Sequence, residues 1–224
     1  MDFTDDQDHD LIRNAIRELC AQYPDDYWAD LDRTHTFPWE FYASMAQGGW
    51  IGIAIPEEYG GGGAGITEAS IILEEVAASG ACMNGASAIH LSIFGMHPVV
   101  RHGSDELKAR YLPDVATGDL HVAFGVTEPD AGLDTSAITT RAVRDGEGYR
   151  VTGAKVWTSK ALESERVLLL TRTAPLEASE RRTDGMTLFV AKLKDPAVEI
   201  RAIPKLGRNA VASCEVTYDD LWVD

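Results

Sequence analysis

His121-Val122-Ala123-Phe124-Gly125-Val126-Thr127-Glu128-Pro129-Asp130-Ala131-Gly132-Leu133-Asp134 is the stretch on which the fold turns. Before it, apolar residues recur at helical spacing. From it onward they follow the two-residue period of a strand. The apolar run to Val126 reads as a short strand, and Thr127 to Asp134 as a polar, glycine-containing turn at its end. Farther along, Lys155-Val156-Trp157-Thr158-Ser159 ends a second strand-like run. Together the two segments offer hydroxyls, backbone N–H groups and one large flat ring. These are parts suited to a planar cofactor with a pyrophosphate tail.

Upstream, Leu11, Ile12, Ala15, Ile16 and Leu19 share one helical face, with Asp8 or Asp10 able to cap its start and Pro24 ending the pattern. Pro38 sits near the first turn of a helix carrying Phe41, Tyr42 and Met45, closed by Gly48-Gly49. The four consecutive glycines after Tyr59 predict a loop. No Gly-Lys-Ser/Thr follows them, so they are not a P-loop. Thr67 is a plausible cap for a helix through Ser79, with Ile72 and Val76 on one face. A further apolar helix is predicted from about Gly85 to Val100, striped by Ile89, Ile93 and Met96. Ser104 caps a shorter one bearing Leu107, Tyr111 and Leu112, and Pro113 marks its end.

Downstream, Ala137 to Val143 and Tyr149 to Trp157 read as an antiparallel pair around Asp145-Gly146-Glu147-Gly148. Val167–Thr171, Met186–Leu193, Val198–Ile203 and Cys214–Tyr218 follow as strands, with Ala174–Asp184 a long polar connection. Helices first and strands second predict an α+β chain. An N-terminal all-helical domain over residues 1–118 precedes a mainly antiparallel, barrel-like β-domain over residues 119–224.

Asp and Glu number 36 against 20 Lys and Arg, a net charge of −16. The first 70 residues hold 14 of the acids and 3 of the bases. Such a chain repels nucleic acid and anionic membrane surfaces. No apolar run is long enough for a membrane span. Met1-Asp2-Phe3-Thr4-Asp5-Asp6 lacks the basic character of a leader. Cys20, Cys82 and Cys214 read as free thiols of a reducing compartment, so the expected location is cytoplasmic. His90, His97 and His102 fall on different helix faces and make no metal set.

Spacing alone leaves two readings of the candidate site. Thr127 ends a strand with its hydroxyl at the sheet edge, Gly132 permits close backbone approach, and Trp157 and Ser159 lie on one side of a strand. Yet a Thr-Glu-Pro stretch is ordinarily a plain turn, and a strand tryptophan ordinarily packs in a core.

The order of further motifs adds a resemblance. Pro56-Glu57-Glu58-Tyr59-Gly60-Gly61 is followed by His90, Pro98, Gly103, Lys108, Tyr111-Leu112-Pro113 and Gly118. After the Gly125–Asp134 segment come Gly153-Ala154-Lys155-Val156-Trp157-Thr158-Ser159, Lys205-Leu206-Gly207 and Tyr218-Asp219-Asp220-Leu221-Trp222-Val223. In this order the chain resembles the acyl-CoA dehydrogenase flavoprotein family almost end to end. The resemblance implies bound FAD, with Phe124, Val126, Thr127, Gly132, Trp157 and Ser159 as cofactor-binding positions. Thr127 is implied near the pyrimidine end of the ring, and Ser159 near N5. It implies removal of a Cα proton and a Cβ hydride from an acyl-CoA, with an electron-transfer flavoprotein as acceptor. Leu133 stands where the family usually has Ser or Thr, a position that approaches the CoA portion. It is therefore the substrate-binding candidate, with weakened phosphate contacts or, alternatively, drift away from flavin binding.

Glu128 lies within the turn, which suits a structural hydrogen-bonding role better than that of a base. In the family the base is a Glu of a C-terminal four-helix domain, which these 224 residues do not contain. No catalytic residue is therefore assigned, and the segment alone is expected to be inactive. Its expected partners are acyl-CoA and either further copies of itself or a complementary dehydrogenase subunit. The alternatives are a natural short, non-catalytic subunit of a composite flavoprotein and a segment of a related flavin oxidase.

Overall fold

In a computed structural model, which describes residues 7–178 and 180–224, the chain divides into a helical unit and a sheet unit. The acidic start, Met1 to Asp6, lies outside the described residues. The helical unit runs to Leu120 and also takes in Lys205–Val211, while the sheet unit comprises His121–Pro204 and Ala212–Asp224.

Among the described residues, seven α-helices build the first unit: α1 (Gln7–Cys20), α2 (Asp25–Thr34), α3 (Trp39–Gln47), α4 (Ile66–Ala78), α5 (Cys82–Phe94), α6 (His97–His102) and α7 (Asp105–Ala116). Ile16, Phe41, Met45, Ile72, Val76 and Ile89 meet in its core. Removing such side chains from water is the main force holding the helices together. On α4 the buried Glu75 accepts from Arg13 at 2.8 Å and from Arg17 at 2.7 Å, which fastens α1 to α4. Burial raises the Glu75 carboxyl, but the two guanidiniums more than offset this and hold it below its ordinary value.

One helix adds to the sequence reading and three local expectations are corrected. First, α2 escaped the sequence pattern because its one fully buried side chain is Trp28. That single ring packs edge-on against Phe41, with centroids 5.0 Å apart, in place of a repeated aliphatic stripe. Second, α4 begins after Gly65, not at a Thr67 cap, and the Glu68 carboxylate accepts the Gly65 N–H at 2.7 Å. Third, the helix expected from Gly85 to Val100 is two helices. Pro98 has no N–H to donate to the carbonyl four residues back, so α5 stops at Phe94 and Pro98 sits in the opening turn of α6. Fourth, Pro113 does not end α7. The helix continues to Ala116 because Tyr111, Leu112, Val115 and Ala116 are all buried, and that packing outweighs one lost hydrogen bond. Ser104 does cap α7, accepting the Leu107 N–H at 3.2 Å.

The second unit is one curled, mixed sheet of seven strands: β1 (Val122–Gly125), β2 (Arg141–Asp145), β3 (Gly148–Ser159), β4 (Arg166–Arg172), β5 (Met186–Lys192), β6 (Val198–Ala202) and β7 (Ser213–Val223). β4 pairs antiparallel with β5. Its other partners are β1 and then β2, both parallel. From β2 the sheet continues antiparallel through β3, β7 and β6. Ala123, Val151, Val167, Leu169, Val216 and Tyr218 fill the inner face.

Two boundaries differ from the sequence reading. The stretch expected to begin a strand at Ala137 opens with a short 3-10 turn (Thr135–Ala137), and β2 starts only at Arg141. β7 passes Tyr218 to reach Val223. Asp220 adopts a left-handed φ of 62° at a register shift, which returns Leu221 and Val223 to the core.

Candidate functional site

The candidate site is built on β1, on β3 and on the turn between Thr127 and Thr140. Gly125 faces inward, where a Cβ would touch Leu169, Val167 and the stem of Lys155. Strand alternation therefore puts the half-buried Phe124 and Val126 on the opposite face. On β3, Lys155 points inward with no exposed surface. Strict alternation would turn Trp157 inward as well. Instead the β3–β7 register shifts between Lys155 and Thr158, and Trp157 takes a φ of 63°, in the left-handed region. Val156 and Trp157 then both lie off the core face, Thr158 returns to it, and Ser159 comes out again. The indole is 58% exposed. A bulge at a non-glycine residue holds this ring off the core.

The two segments are tied together directly. The Val156 N–H donates to the Thr127 carbonyl at 2.9 Å. The Lys155 ammonium donates to the Val126 carbonyl at 2.9 Å and to Glu128 Oε1 at 2.8 Å. Glu128 also accepts the Thr140 N–H on Oε1 (2.9 Å), and the Thr139 N–H (2.7 Å) and hydroxyl (2.9 Å) on Oε2. Burial alone would raise this carboxyl. The Lys155 ammonium and the Thr139 and Thr140 donors overcome that and bring it down to about 2. Glu128 is thus an ionised structural acceptor with both oxygens engaged, which makes it a poor base at neutral pH.

Beyond Glu128 the turn folds back, with the Glu128 N–H to the Ala131 carbonyl at 3.0 Å. Gly132 lies in open space, and Leu133 projects with 108% relative exposure. Asp134 caps the following turn by accepting the Ser136 N–H at 3.1 Å, and Arg182 binds its other oxygen at 2.6 Å. Arg172, buried at the end of β4, donates to the carbonyls of Ser136 and Ile138 and fixes the far side of the turn. Among the described residues, the Thr127 hydroxyl and the N–H groups of Gly132 and Leu133 bond to no protein acceptor.

These features fit a planar, phosphate-bearing group. An exposed flat ring can cover one face of a heterocycle. Unspent N–H groups beside a bare glycine suit phosphate oxygens. Phe124, Val126, Trp157 and Ser159 are brought to one face, and Thr127 adjoins them through the Val156 bond. Gly132 and Leu133 lie farther out, in the turn. Lys155 and Arg172 were missed in the sequence. A lysine at an inward position between apolar neighbours (Ala154 and Val156) is a detectable signal, because a buried ammonium requires an acceptor. Arg172 had no comparable signal, since its acceptors are all backbone carbonyls. Among the described residues, no three His, Cys, Asp or Glu side chains converge as a metal site.

The family description "Acyl-CoA dehydrogenase, N-terminal domain" matches residues 6–119, and "Acyl-CoA dehydrogenase, middle domain" matches residues 123–221. Acyl-CoA dehydrogenase FadE12 of Mycobacterium tuberculosis is 36% identical over 222 residues, covering 98% of this chain and 55% of that protein. The glutaryl-coenzyme A dehydrogenase–glutaryl-CoA complex superposes with a TM-score of 0.88 at 27% identity, covering 100% of this chain and 56% of that one. A chain of the ChsE4–ChsE5 complex of Mycobacterium tuberculosis superposes with a TM-score of 0.78 at 27% identity, with coverage of 100% and 56%. The chain thus spans about half the length of the curated relatives it matches. In sequence and in fold, this chain belongs to the acyl-CoA dehydrogenase family.

Proposed function

We propose that this chain forms the flavin-binding and acyl-CoA-facing part of an FAD-dependent acyl-CoA dehydrogenase. Residues 1–118 act as its helical domain, and residues 119–224 as the β-domain that contributes to FAD and acyl-CoA binding. The observation that carries this reading is the exposed Trp157 ring, turned off the core face by a left-handed bulge beside Thr127 and Ser159. When bound, FAD supplies an acceptor for a hydride from Cβ of an acyl-CoA, while Cα loses a proton and a trans-2-enoyl-CoA results.

The chain's own residues bind and orient. Trp157 flanks the ring, with Phe124 and Val126 on the same face of the sheet. The Thr127 and Ser159 hydroxyls bond ring heteroatoms, Ser159 on the N5 side. The Gly132 and Leu133 N–H groups hold phosphate oxygen, and the Leu133 side chain meets the CoA portion without a hydroxyl bond. Glu128 is committed to the fold, and by the family resemblance the base that takes the Cα proton comes from outside these 224 residues, which leaves the segment alone inactive. The full assembly acts in the cytoplasm, as a homo-oligomer or with a complementary subunit, and passes electrons to an electron-transfer flavoprotein.

The test is a fluorescence titration of purified chain with FAD, followed by assays with acyl-CoAs of several lengths and an artificial electron acceptor. Saturable FAD quenching without turnover is expected. Acyl-dependent turnover by the chain alone would refute the external base, and absence of FAD binding would refute the site.

A second reading is a natural short, non-catalytic subunit of a composite flavoprotein. The likeness to a chain of a two-subunit complex favours it. Turnover restored by a complementary subunit, and not by a C-terminal domain from the same reading frame, would select it.

A further inference from the structure

We propose that Lys155 is the positioning residue of the flavin-facing ledge, clamping the chain on both sides of Thr127; this rests on the FAD reading above. Its ammonium holds the Val126 carbonyl at 2.9 Å and the Glu128 carboxylate at 2.8 Å. The next residue of β3, Val156, holds the carbonyl of Thr127 itself at 2.9 Å. Three consecutive residues of one segment are therefore tied to two consecutive residues of the other. Every bond uses an acceptor of the 126–128 stretch, which leaves the Thr127 hydroxyl unspent.

The clamp extends to the turn. Glu128 accepts from Thr139 and Thr140, so one ammonium also secures the base of the loop that carries Gly132 and Leu133. The bulge after Lys155 separates the two tasks. Lys155 goes inward to grip, and Trp157, two residues on, goes outward. Both flavin-facing segments thus depend on one buried side chain that itself faces away from the ledge.

A purely structural ion pair and a positioning clamp respond differently to paired replacement. A buried pair exchanged for apolar residues commonly keeps or raises stability, whereas removing one partner strands a buried charge. Lys155→Met alone is therefore expected to lower the melting temperature. Lys155→Met with Glu128→Gln, which removes both charges and keeps an amide oxygen for the Thr139 donors, is expected to recover part of that loss. Neither can hold the Val126 carbonyl or order Thr127.

The experiment titrates FAD into the wild-type chain and both variants, and follows hydrogen exchange at the Val156 amide without flavin. FAD affinity is expected to fall about tenfold or more in both variants, the loss of charge-assisted hydrogen bonds. Val156 exchange is expected to accelerate in both, while the β4–β5 amides of the double variant keep wild-type protection. Should the double variant regain FAD affinity together with its melting temperature, the clamp is overturned and the pair is structural only. If either variant fails to fold, Lys155→Gln, which removes the ammonium and shortens the reach to the Val126 carbonyl while Glu128 keeps its threonine donors, provides the same readouts. Wild-type affinity and wild-type Val156 exchange in that variant would also overturn the clamp. A wild-type chain that takes up no FAD overturns the flavin reading itself, a result separate from recovery in the double variant.

Discussion

Trp157 is held in a left-handed conformation that glycine adopts freely and other residues adopt at a cost of about 1 kcal/mol or more. Its ring is more than half exposed, so the fold recovers little of that cost through burial. Trp157→Gly is expected to keep the melting temperature of the wild-type chain or raise it. The same substitution is expected to weaken FAD binding through lost stacking of about 0.5–1.5 kcal/mol beyond the area effect. Calorimetry and FAD titration of one variant check both halves. A large fall in melting temperature would make Trp157 a core residue. Glu128 gives a pH prediction. Its carboxyl lies at about 2 in the folded chain against an ordinary 4.5. As pH falls, the unfolded chain takes up the proton first. The stabilisation is complete above pH 4.5 and is lost as pH drops towards about 2, amounting to about 3 kcal/mol. Glu128→Gln should flatten that acid limb in thermal melts across pH, and should be less stable than wild type at neutral pH.

Among the elements, those with a local cause were legible in the sequence. The Ser104 cap, the Ile72 and Val76 stripe and the change of period at His121 each depend on neighbours a few residues away. α2 was illegible because its burial is one ring, Trp28, whose partner Phe41 lies on another helix. The bulges at Trp157 and Asp220 were illegible for a different reason. Each is defined by register against the facing strand, and no local composition encodes a left-handed tryptophan or aspartate. The shared face of Trp157 and Ser159 was still readable, because the bulge restores alternation after Trp157. The opposed direction of Lys155 was not. Just beyond β3, the fully buried Lys160 carries a prediction of its own. Burial lowers its ammonium from 10.5 to about 7, against the pull of Glu163 and Glu165. Between those values the unfolded chain binds a proton that the folded chain does not, so stability falls as pH drops from 10.5 to about 7. Lys160→Met should flatten that limb. Chemical denaturation at several pH values checks it, and an unchanged slope would show that Lys160 does not titrate there.

At the scale of the whole molecule, the two units are not two successive stretches of chain. Lys205–Val211 is part of the helical unit, where Val211 is fully buried in the core. Asn209 donates its N–H to Asp32, and Arg208 donates to the Ser87 hydroxyl at 2.8 Å. The Lys205 ammonium closes the segment on the carbonyls of Arg208 and Val211. A fragment ending at Leu120 would lack a core valine and leave Asp32 without its Asn209 donors. It is expected to be less stable, by about 2 kcal/mol, than the same fragment with Lys205–Val211 joined through a flexible linker. Denaturant unfolding of the two fragments decides the point, and equal midpoints would show the segment to be a passive strap. The same return fixes an order of events during synthesis. The helices leave the ribosome first, yet their core remains one residue short until Val211 emerges, after nearly all of the sheet has been made. The part of this protein that is made earliest closes only after six of the seven strands have been made, and until then it waits with an open seam where a chaperone could bind.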